Sequence, residues 1–274
     1  MKDKIVLITG STDGIGKQTA LELARLGATV LLHGRQAEHG RQTLEEIRAA
    51  TGNPRLDFFQ ADLASQRQVR QLAAQVQAKY DRLHMLINNA GVFMPTRETT
   101  EDGMEMTFAV NHLAPFLLTQ LLLGLLKKSA PARIILVSST LHQRSLVDFN
   151  NLQGENYFNR IQAYNLSKLG NVLFTFELAD RLRGTGVTAN CLHPGAIDTK
   201  LLRAAYGRMQ GDSVVSGAAT PVYLATSPDM VAVSGQYFEK KHPVAPSPLA
   251  HDLEIRKKFW EVSAQLTGLE PSLT

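Results

Sequence analysis

The sequence has a single cysteine among its 274 residues. One cysteine cannot form an intrachain disulfide, which excludes a secreted scaffold held together by disulfides. The eight histidines are scattered without the spacing of a metal site, so we expect no metal ion. Cys191 lies in an apolar stretch and is predicted to be a core residue.

Long apolar runs are also missing. Ile5–Ile8 leads directly into Thr9, whereas a signal peptide needs a longer apolar region and a small-residue cleavage site. The most apolar stretch, Phe116–Leu126, contains polar residues and is well short of the roughly 20 residues of a membrane-spanning helix. We therefore expect a buried core helix there, no membrane span, and a cytoplasmic protein.

The charge balance is only slightly basic. Charged residues make up 20% of the chain, and the formal net charge is +4. Short basic runs occur at Lys240-Lys241 and at Arg256-Lys257-Lys258, and we interpret both as solvated faces. Because no aromatic residues alternate with these charges, a nucleic-acid partner is not expected.

Short β-branched runs alternate with longer helical stretches along the whole chain. The predicted strands are Ile5–Thr9, Thr29–His33, Leu56–Gln60, Met85–Asn88, Arg133–Val137, Val187–Leu192 and Gly235–Phe238. The predicted helices are Ile15–Leu26, Ala37–Ala50, Arg67–Lys79, Gly103–Val110, Pro115–Leu125, Ile161–Leu182 and Gly217–Ala225. This alternation predicts one α/β domain over residues 1–274, a doubly wound Rossmann fold with a mostly parallel sheet of about seven strands. Ligands of such sheets bind beyond the carboxyl ends of the strands.

A glycine-rich turn follows the first predicted strand. Its residues are Gly10, Ser11, Thr12, Asp13, Gly14, Ile15 and Gly16, and an amphipathic helix comes next. Glycine permits a positive φ and close approach of the backbone to a pyrophosphate, and the helix N-terminus supplies free N–H groups. The turn therefore predicts a dinucleotide site. The alternative is a plain strand-to-helix turn in which Asp13 only caps the helix.

The end of the second predicted strand bears on the choice of dinucleotide. It reads His33-Gly34-Arg35 and carries no carboxylate to accept the ribose hydroxyls of NAD. The planar donors of Arg35 suit the 2′-phosphate of NADP instead. A solvated arginine that opens the next helix is the alternative, and Lys17 is either a second phosphate contact or a surface residue.

Further motifs at strand ends resemble those of the short-chain dehydrogenase/reductase family. They are Asn88-Asn89-Ala90-Gly91, Asn111, Ser138-Ser139, Tyr164 with Lys168, and the segment Pro194-Gly195-Ala196-Ile197-Asp198-Thr199. The 25-residue interval between Ser139 and Tyr164 is similar to that of the retinol dehydrogenase and WW-domain oxidoreductase branch. No anchor pattern precedes the first predicted strand, so we expect the chain to differ in this respect from membrane-bound members of that branch. It also carries Asp13 where many NADP-dependent relatives have an uncharged or basic residue.

Tyr164 and Lys168 are four residues apart on a predicted helix and share one face. A tyrosine titrates at about 10, and a nearby ammonium favours its phenolate. The resemblance implies that Tyr164 is the acid/base, that Ser139 stabilises the alkoxide and that Lys168 binds the nicotinamide ribose. It also implies that Asn111 holds a water molecule. From the residues alone, Ser138 could replace Ser139, and Asn111 could simply cap a helix.

The remaining expectations concern the contacts of the two ligands. The residues predicted to bind the cofactor are Gly10, Ser11, Thr12, Asp13, Gly14, Ile15, Gly16, Arg35, Asp62, Leu63, Asn89, Ala90, Gly91, Tyr164, Lys168, Pro194, Gly195, Ile197 and Thr199. The residues predicted to contact the substrate are Phe93, Met94, Leu141, His142, Phe149, Leu201, Leu202 and Tyr206. A substrate loop is expected around 196–216 and a C-terminal extension over 239–274.

These residues predict an NADP-dependent oxidoreductase that interconverts a hydrophobic aldehyde or ketone and its alcohol. A catalytically silent NADP(H)-binding regulator of the same fold is the alternative, and NAD is the less favoured cofactor. An epimerase or dehydratase of nucleotide sugars is disfavoured by the glycine spacing. For the oligomeric state, the alternatives are a homodimer and a monomer.

Overall fold

One sheet of eight strands forms the centre of the protein in a computed structural model that describes residues 1–207 and 210–270. The strands are β1 (Ile5–Ile8), β2 (Thr29–Gly34), β3 (Leu56–Gln60), β4 (Met85–Asn88), β5 (Ala132–Val137), β6 (Val187–His193), β7 (Gln236–Glu239) and β8 (His242–Val244). Their order is β3-β2-β1-β4-β5-β6-β7-β8. All neighbours pair in parallel except β7 and β8, so the predicted doubly wound sheet is confirmed.

The strand order reverses between β1 and β4. β1 pairs with β2 on one side and with β4 on the other, with Ile8 opposite both Leu32 and Ile87. Helices after β1 and β4 therefore leave in different directions, and a crevice opens at the carboxyl ends of these strands. The glycine turn and the Asn89-Ala90-Gly91 segment both lie at this point of the sheet.

Helices cover both faces of the sheet. They are α1 (Gly14–Arg25), α2 (Ala37–Thr51), α3 (Gln66–Lys79), α4 (Met106–Phe108), α5 (Ala114–Lys128), α6 (Arg160–Arg181), α7 (Lys200–Tyr206), α8 (Val214–Thr226) and α9 (Leu253–Leu266). Residues of α1, α2 and α8 share one core cluster with the strands, and residues of α3, α5 and α6 share the other. The strands are buried on both sides, as their continuous apolar sequences predict.

Two helices predicted separately form one continuous helix over Met106–Lys128, because a π-helical turn at Ala109–Leu113 joins α4 to α5. Pro115 lacks an N–H, and its ring crowds the preceding turn. The wider π-helical turn accommodates the ring, so the helix continues past the proline. Within the described residues this is the one helix long and apolar enough to cross a membrane. However, 83% of its apolar window is buried inside the fold.

The C-terminal region packs against the domain through β8 and α9, two elements that the sequence patterns did not predict. Lys240 and Lys241 adopt positive φ angles of 48° and 69° in the tight connection between β7 and β8. Arg256 was expected on a solvated face, and that expectation is wrong. Its side chain is 7% exposed and forms ion pairs with Glu177 and Asp180 of α6.

Candidate active site

A cavity of about 970 Å³ runs along the carboxyl edge of the sheet. At one end it is lined by the glycine turn and the end of β2, and at the other by the ends of β4, β5 and β6 together with α6 and α7. The predicted cofactor residues that line it are Gly10, Thr12, Asp13, Gly14, Ile15, Gly16, Arg35, Asp62, Leu63, Asn89, Ala90, Gly91, Tyr164, Lys168, Pro194, Gly195, Ile197 and Thr199. The edge identified from the sequence motifs is therefore one continuous site.

The glycine turn is tightly packed against the end of β4. Gly10 and Gly14 have φ angles of 62° and 53°, which only glycine adopts without strain. A Cβ on Gly16 would lie 2.2 Å from Gly10 O and 2.4 Å from Asn89 Nδ2. Asn89 Nδ2 donates to the carbonyls of Thr9 and Gly10, which fixes the turn in front of the α1 N-terminus.

A buried histidine also supports the glycine turn. His33 is 2% exposed, its Nδ1 accepts the Gly10 N–H at 3.1 Å, and its Nε2 lies 3.2 Å from Ala61 O. A backbone N–H can only donate and a carbonyl can only accept, so the proton is on Nε2 and the ring is neutral. Burial lowers the pKa of His33 to about 4, consistent with a neutral ring at physiological pH.

Asp13 has two contacts at the entrance of the glycine turn. Its carboxylate caps α1 by accepting the Gly14 N–H, and it forms an ion pair of 2.7 Å with Lys200 of α7. The Lys200 hydrogen bond lowers the pKa of Asp13. The adjacent cation offsets the carboxylate that the sequence places next to an anion-binding turn. Lys17 forms an ion pair with Glu46 on α2 and does not line the cavity.

Lys168 is buried at the centre of the site, with 2% of its surface exposed. Its Nζ donates to Val137 O at 3.1 Å and lies 5.6 Å from the centroid of the Tyr164 ring. Burial lowers the pKa of Lys168 to about 8. The side chain is therefore mainly cationic at pH 7 and loses its charge as the pH rises above its pKa. The ring of Tyr164 also lies against Phe93, with centroids 5.4 Å apart.

The two serines after β5 have different surroundings. Ser138 Oγ donates to Lys168 O at 2.8 Å and joins β5 to α6. Ser139 Oγ accepts the Leu141 N–H at 3.2 Å, which leaves its own proton free to be donated. Of the two alternatives, this geometry favours Ser139 as the hydroxyl that a substrate in the cavity would meet.

Asn111 lies in the π-helical turn and caps no helix. It is fully buried and does not reach the cavity wall. Its Oδ1 accepts the Val92 N–H at 2.7 Å, and its Nδ2 donates to Val92 O and to Ser167 Oγ. These bonds clamp the segment after Gly91 to α6, one residue before Lys168. Its predicted water molecule stays a prediction.

Apolar side chains form the other end of the cavity. The predicted substrate contacts that line it are Phe93, Met94, Leu141, Leu201 and Leu202. The last two lie on α7, inside a loop that a parallel bridge between Ile197 and Asp212 closes at its base. The backbone of Tyr206 ends α7, but its side chain lies outside the described part of the chain.

Three predicted contacts lie elsewhere. Ser11 is fully buried, and its hydroxyl accepts the His33 N–H, so it supports the turn from behind. His142 is also fully buried and lies behind Ser139. Phe149 packs on Phe259 of α9, with ring centroids 6.3 Å apart. His142 and Phe149 contact the C-terminal extension instead of the cavity, through Ser247 and Phe259 respectively. These contacts join distant parts of the chain, so no local pattern in the sequence predicts them.

The sequence patterns also missed several wall residues. His193, next to the predicted Pro194, lines the cavity, and Lys200 follows Thr199. Both could have been found by extending the Pro194–Thr199 segment by one residue in each direction. Met106 and Val110 enter the wall from the helix after β4, and their contribution depends on the unpredicted π-helical turn.

The described residues fit a dinucleotide. A Cβ on Gly16 would clash with Gly10 O and Asn89 Nδ2, and a Cβ on Gly14 would lie 3.3 Å from Thr199 Cγ2, so the turn that faces the cavity needs glycine at Gly16. The cavity continues without interruption from Arg35 to the buried ammonium of Lys168. Arg35, the α1 N-terminus and Lys168 would hold the phosphates and the nicotinamide ribose of such a ligand.

Comparisons of the sequence with known proteins agree with this geometry. A family described as short chain dehydrogenase matches residues 4–209. Retinol dehydrogenase 13 of Homo sapiens is 43% identical over 284 residues, covering 97% of this chain and 85% of that protein. Retinol dehydrogenase 12 of Bos taurus is 42% identical over 274 residues, covering 97% of this chain and 87% of that protein.

Solved structures show the same architecture. An uncharacterized protein from Mycobacterium paratuberculosis superposes with a TM-score of 0.82 at 30% identity, covering 98% of this chain and 94% of that one. A short chain dehydrogenase from Shigella flexneri, crystallised with NADP, gives a TM-score of 0.72 at 28% identity, covering 88% and 98% of the two chains.

The neutral ring of His33 makes stability depend on pH. Its pKa of about 4 in the folded state lies below the ordinary 6.5, so between these values the unfolded chain binds an additional proton. The stabilisation is present above about pH 6.5 and is lost as pH falls toward 4. We expect the difference in unfolding free energy between wild type and His33→Leu to shrink by up to about 3 kcal/mol over this window.

Urea unfolding at a series of pH values measures this difference. His242→Leu is the matched control, because His242 is exposed on β8, and its curve should run parallel to that of the wild type. A His33→Leu curve that also runs parallel to the wild type would show that His33 is not held neutral.

Proposed function

This chain belongs to the short-chain dehydrogenase family, and we propose that it is an NADP-dependent oxidoreductase that interconverts a hydrophobic aldehyde or ketone and its alcohol. The observation that carries the proposal is the single cavity that joins Arg35 to Ser139, Tyr164 and Lys168 and then continues between apolar side chains. One end suits an anionic dinucleotide, and the other suits an apolar substrate with its reacting oxygen beside Tyr164.

The choice of NADP over NAD rests on the end of β2. Arg35 lines the cavity there together with Gln36 and His39, and the strand end offers no carboxylate for the ribose hydroxyls. Asp13, which would repel a phosphate, is paired with Lys200. The NADP bound to the similar Shigella flexneri enzyme supports the same choice.

The chemistry assigned to this chain is the handling of one proton and one developing charge. A bound nicotinamide would supply or accept the hydride. In the reductive direction, Tyr164 donates its phenolic proton to the carbonyl oxygen, and Ser139 donates a hydrogen bond to the same oxygen as charge develops on it. The Lys168 ammonium lies 5.6 Å from the Tyr164 ring centroid and stabilises the resulting phenolate.

The substrate class follows from the wall and from the relatives. Phe93, Met94, Leu141 and Leu202 line the cavity with apolar surface, which suits an apolar substrate. The similar retinol dehydrogenases are named for retinol, which is a lipophilic alcohol. A lipophilic aldehyde is therefore the substrate that we propose to test first.

Cofactor choice is tested by Arg35→Ala. We expect NADPH to bind about 10- to 100-fold more weakly, because charge-assisted hydrogen bonds to the 2′-phosphate are lost, while the NADH affinity stays unchanged. Fluorescence titration with each cofactor measures both constants. Arg41→Ala is the control, since Arg41 is exposed on α2 and does not line the cavity. Equal affinity for both cofactors, unmoved by Arg35→Ala, would overturn the assignment.

Acid–base chemistry is tested by Tyr164→Phe with NADPH and retinaldehyde, and glyceraldehyde serves as a polar comparison. We expect turnover of retinaldehyde to fall by about 10²- to 10⁴-fold while NADPH still binds, because only the proton donor is removed. Tyr157→Phe is the control, since Tyr157 is 65% exposed and does not line the cavity.

Full activity of Tyr164→Phe would contradict the acid–base role. Turnover of glyceraldehyde but not retinaldehyde by the wild type would contradict the apolar substrate. NADPH binding without turnover of any carbonyl compound would instead support the catalytically silent regulator.

A further inference from the structure

His142 bridges the site to the C-terminal part of the chain. It lies in a short helical turn after Ser139, and its side chain is fully buried behind that residue. The Nδ1 atom lies 2.6 Å from Ser139 O, and the Nε2 atom lies 3.0 Å from the backbone nitrogen of Ser247. The bridge joins two residues that are 108 positions apart in the sequence.

The two contacts fix the protonation of the ring. Ser139 O can only accept, so Nδ1 carries the proton and donates to it. The Ser247 N–H can only donate, so Nε2 is an acceptor. Only the neutral Nδ1–H tautomer satisfies both partners. Burial lowers the pKa of His142, which agrees with the neutral form.

The imidazole is held from a third side. The Tyr237 ring on β7 lies against it, with centroids 4.6 Å apart, and Tyr237 is itself fully buried. Beside the bridge, Gln143 Nε2 donates to Ala245 O at 3.4 Å. The ring therefore has little freedom to turn, and the Ser139 carbonyl, which also accepts the His142 N–H at 3.1 Å, is held with it.

We propose that His142 is a positioning residue, which holds Ser139 in its reactive place and makes that place depend on the 245–251 segment that leads into α9. The inference rests on the proposed function, because it assigns Ser139 the role of stabilising the alkoxide. Ser139 lies two residues after Val137, the last residue of β5, and beyond the last described pairing of that strand with β6. The imidazole supports the backbone there from the C-terminal region.

The first test is a double-mutant cycle with NADPH and retinaldehyde. His142→Phe keeps a ring of similar size and removes both bonds. We expect it to lower kcat about 10- to 100-fold, as a displaced catalytic group does, with the NADPH dissociation constant unchanged within about twofold. If His142 acts through Ser139, adding His142→Phe to Ser139→Ala lowers kcat no further.

Rescue separates positioning from general damage to the fold. The Nδ2 of an asparagine can take the place of the imidazole Nδ1 and donate to Ser139 O. His142→Asn should therefore recover part of the kcat that His142→Phe loses. If His142→Phe lowered kcat only by disturbing the packing around Tyr237, His142→Asn would recover nothing, because asparagine fills the space less well than phenylalanine.

A second pair of variants approaches the bridge from its other end and does not alter the histidine. Ser247 has φ −52° and ψ 137°, angles that proline adopts, so Ser247→Pro removes the N–H donor. Its ring Cδ takes the place of the hydrogen that points at His142 Nε2, so the imidazole is also pushed away from this end of the bridge. Ser247→Ala keeps the N–H and removes only the hydroxyl that accepts from Leu249. We expect Ser247→Pro to lower kcat at least about fivefold more than Ser247→Ala, with unchanged NADPH affinity.

The outcomes separate the two proposals. If Ser139→Ala retains full activity, the proposed function is at fault at this residue, and the inference falls with it. If Ser139→Ala is impaired, the inference alone is overturned when His142→Phe keeps wild-type kcat or multiplies the Ser139→Ala defect. Should His142→Phe not fold, the Ser247 pair decides, and equal kcat values for Ser247→Pro and Ser247→Ala overturn the positioning role.

Discussion

The burial of one ammonium group, that of Lys168, is the constraint on which the site depends. A buried charge is costly unless polar groups contact it, and here Val137 O accepts a hydrogen bond from Lys168 Nζ. Ser138 Oγ donates to the backbone carbonyl of Lys168. These bonds tie α6 to the carboxyl end of β5. Because Tyr164 is one turn earlier on α6, its ring comes to lie beside the ammonium.

The neighbouring turns are held by other polar side chains, of which His33, Asn111 and His142 are buried and Asn89 is partly buried. His33 and Asn89 bond the glycine turn, Asn111 bonds the segment after Gly91, and His142 bonds Ser139. Each donates a hydrogen bond to, or accepts one from, a backbone group just beyond a strand end, where the sheet no longer supplies partners. The apolar end is formed by residues that follow β4 and β5, among them Phe93 and Leu141, together with Leu202 of α7.

Periodic patterns predicted the sheet, the glycine turn and the edge at which the site lies, because each depends on neighbours close in the sequence. Ser11 and His142 were predicted to line the cavity, but their side chains are buried behind it. The direction of a side chain just beyond a strand depends on the residues that pack behind that strand end, which local patterns do not show. For His142 that partner is Ser247, more than a hundred positions later. The prediction that Arg256 lies on a solvated face failed for the same reason. The run of basic residues that begins at Arg256 does not show that Glu177 and Asp180 of α6 lie opposite it.

The most direct measurement is the titration of Lys168 itself, by NMR of protein labelled with ¹³C at the lysine ε-carbon, with Lys168→Met used to assign its signal. If the ammonium is buried in the cavity wall, the pKa of Lys168 is about 8, below the ordinary lysine value. A Lys168 signal that titrates near 10.5, the ordinary lysine value, would contradict the buried cation around which the site is built.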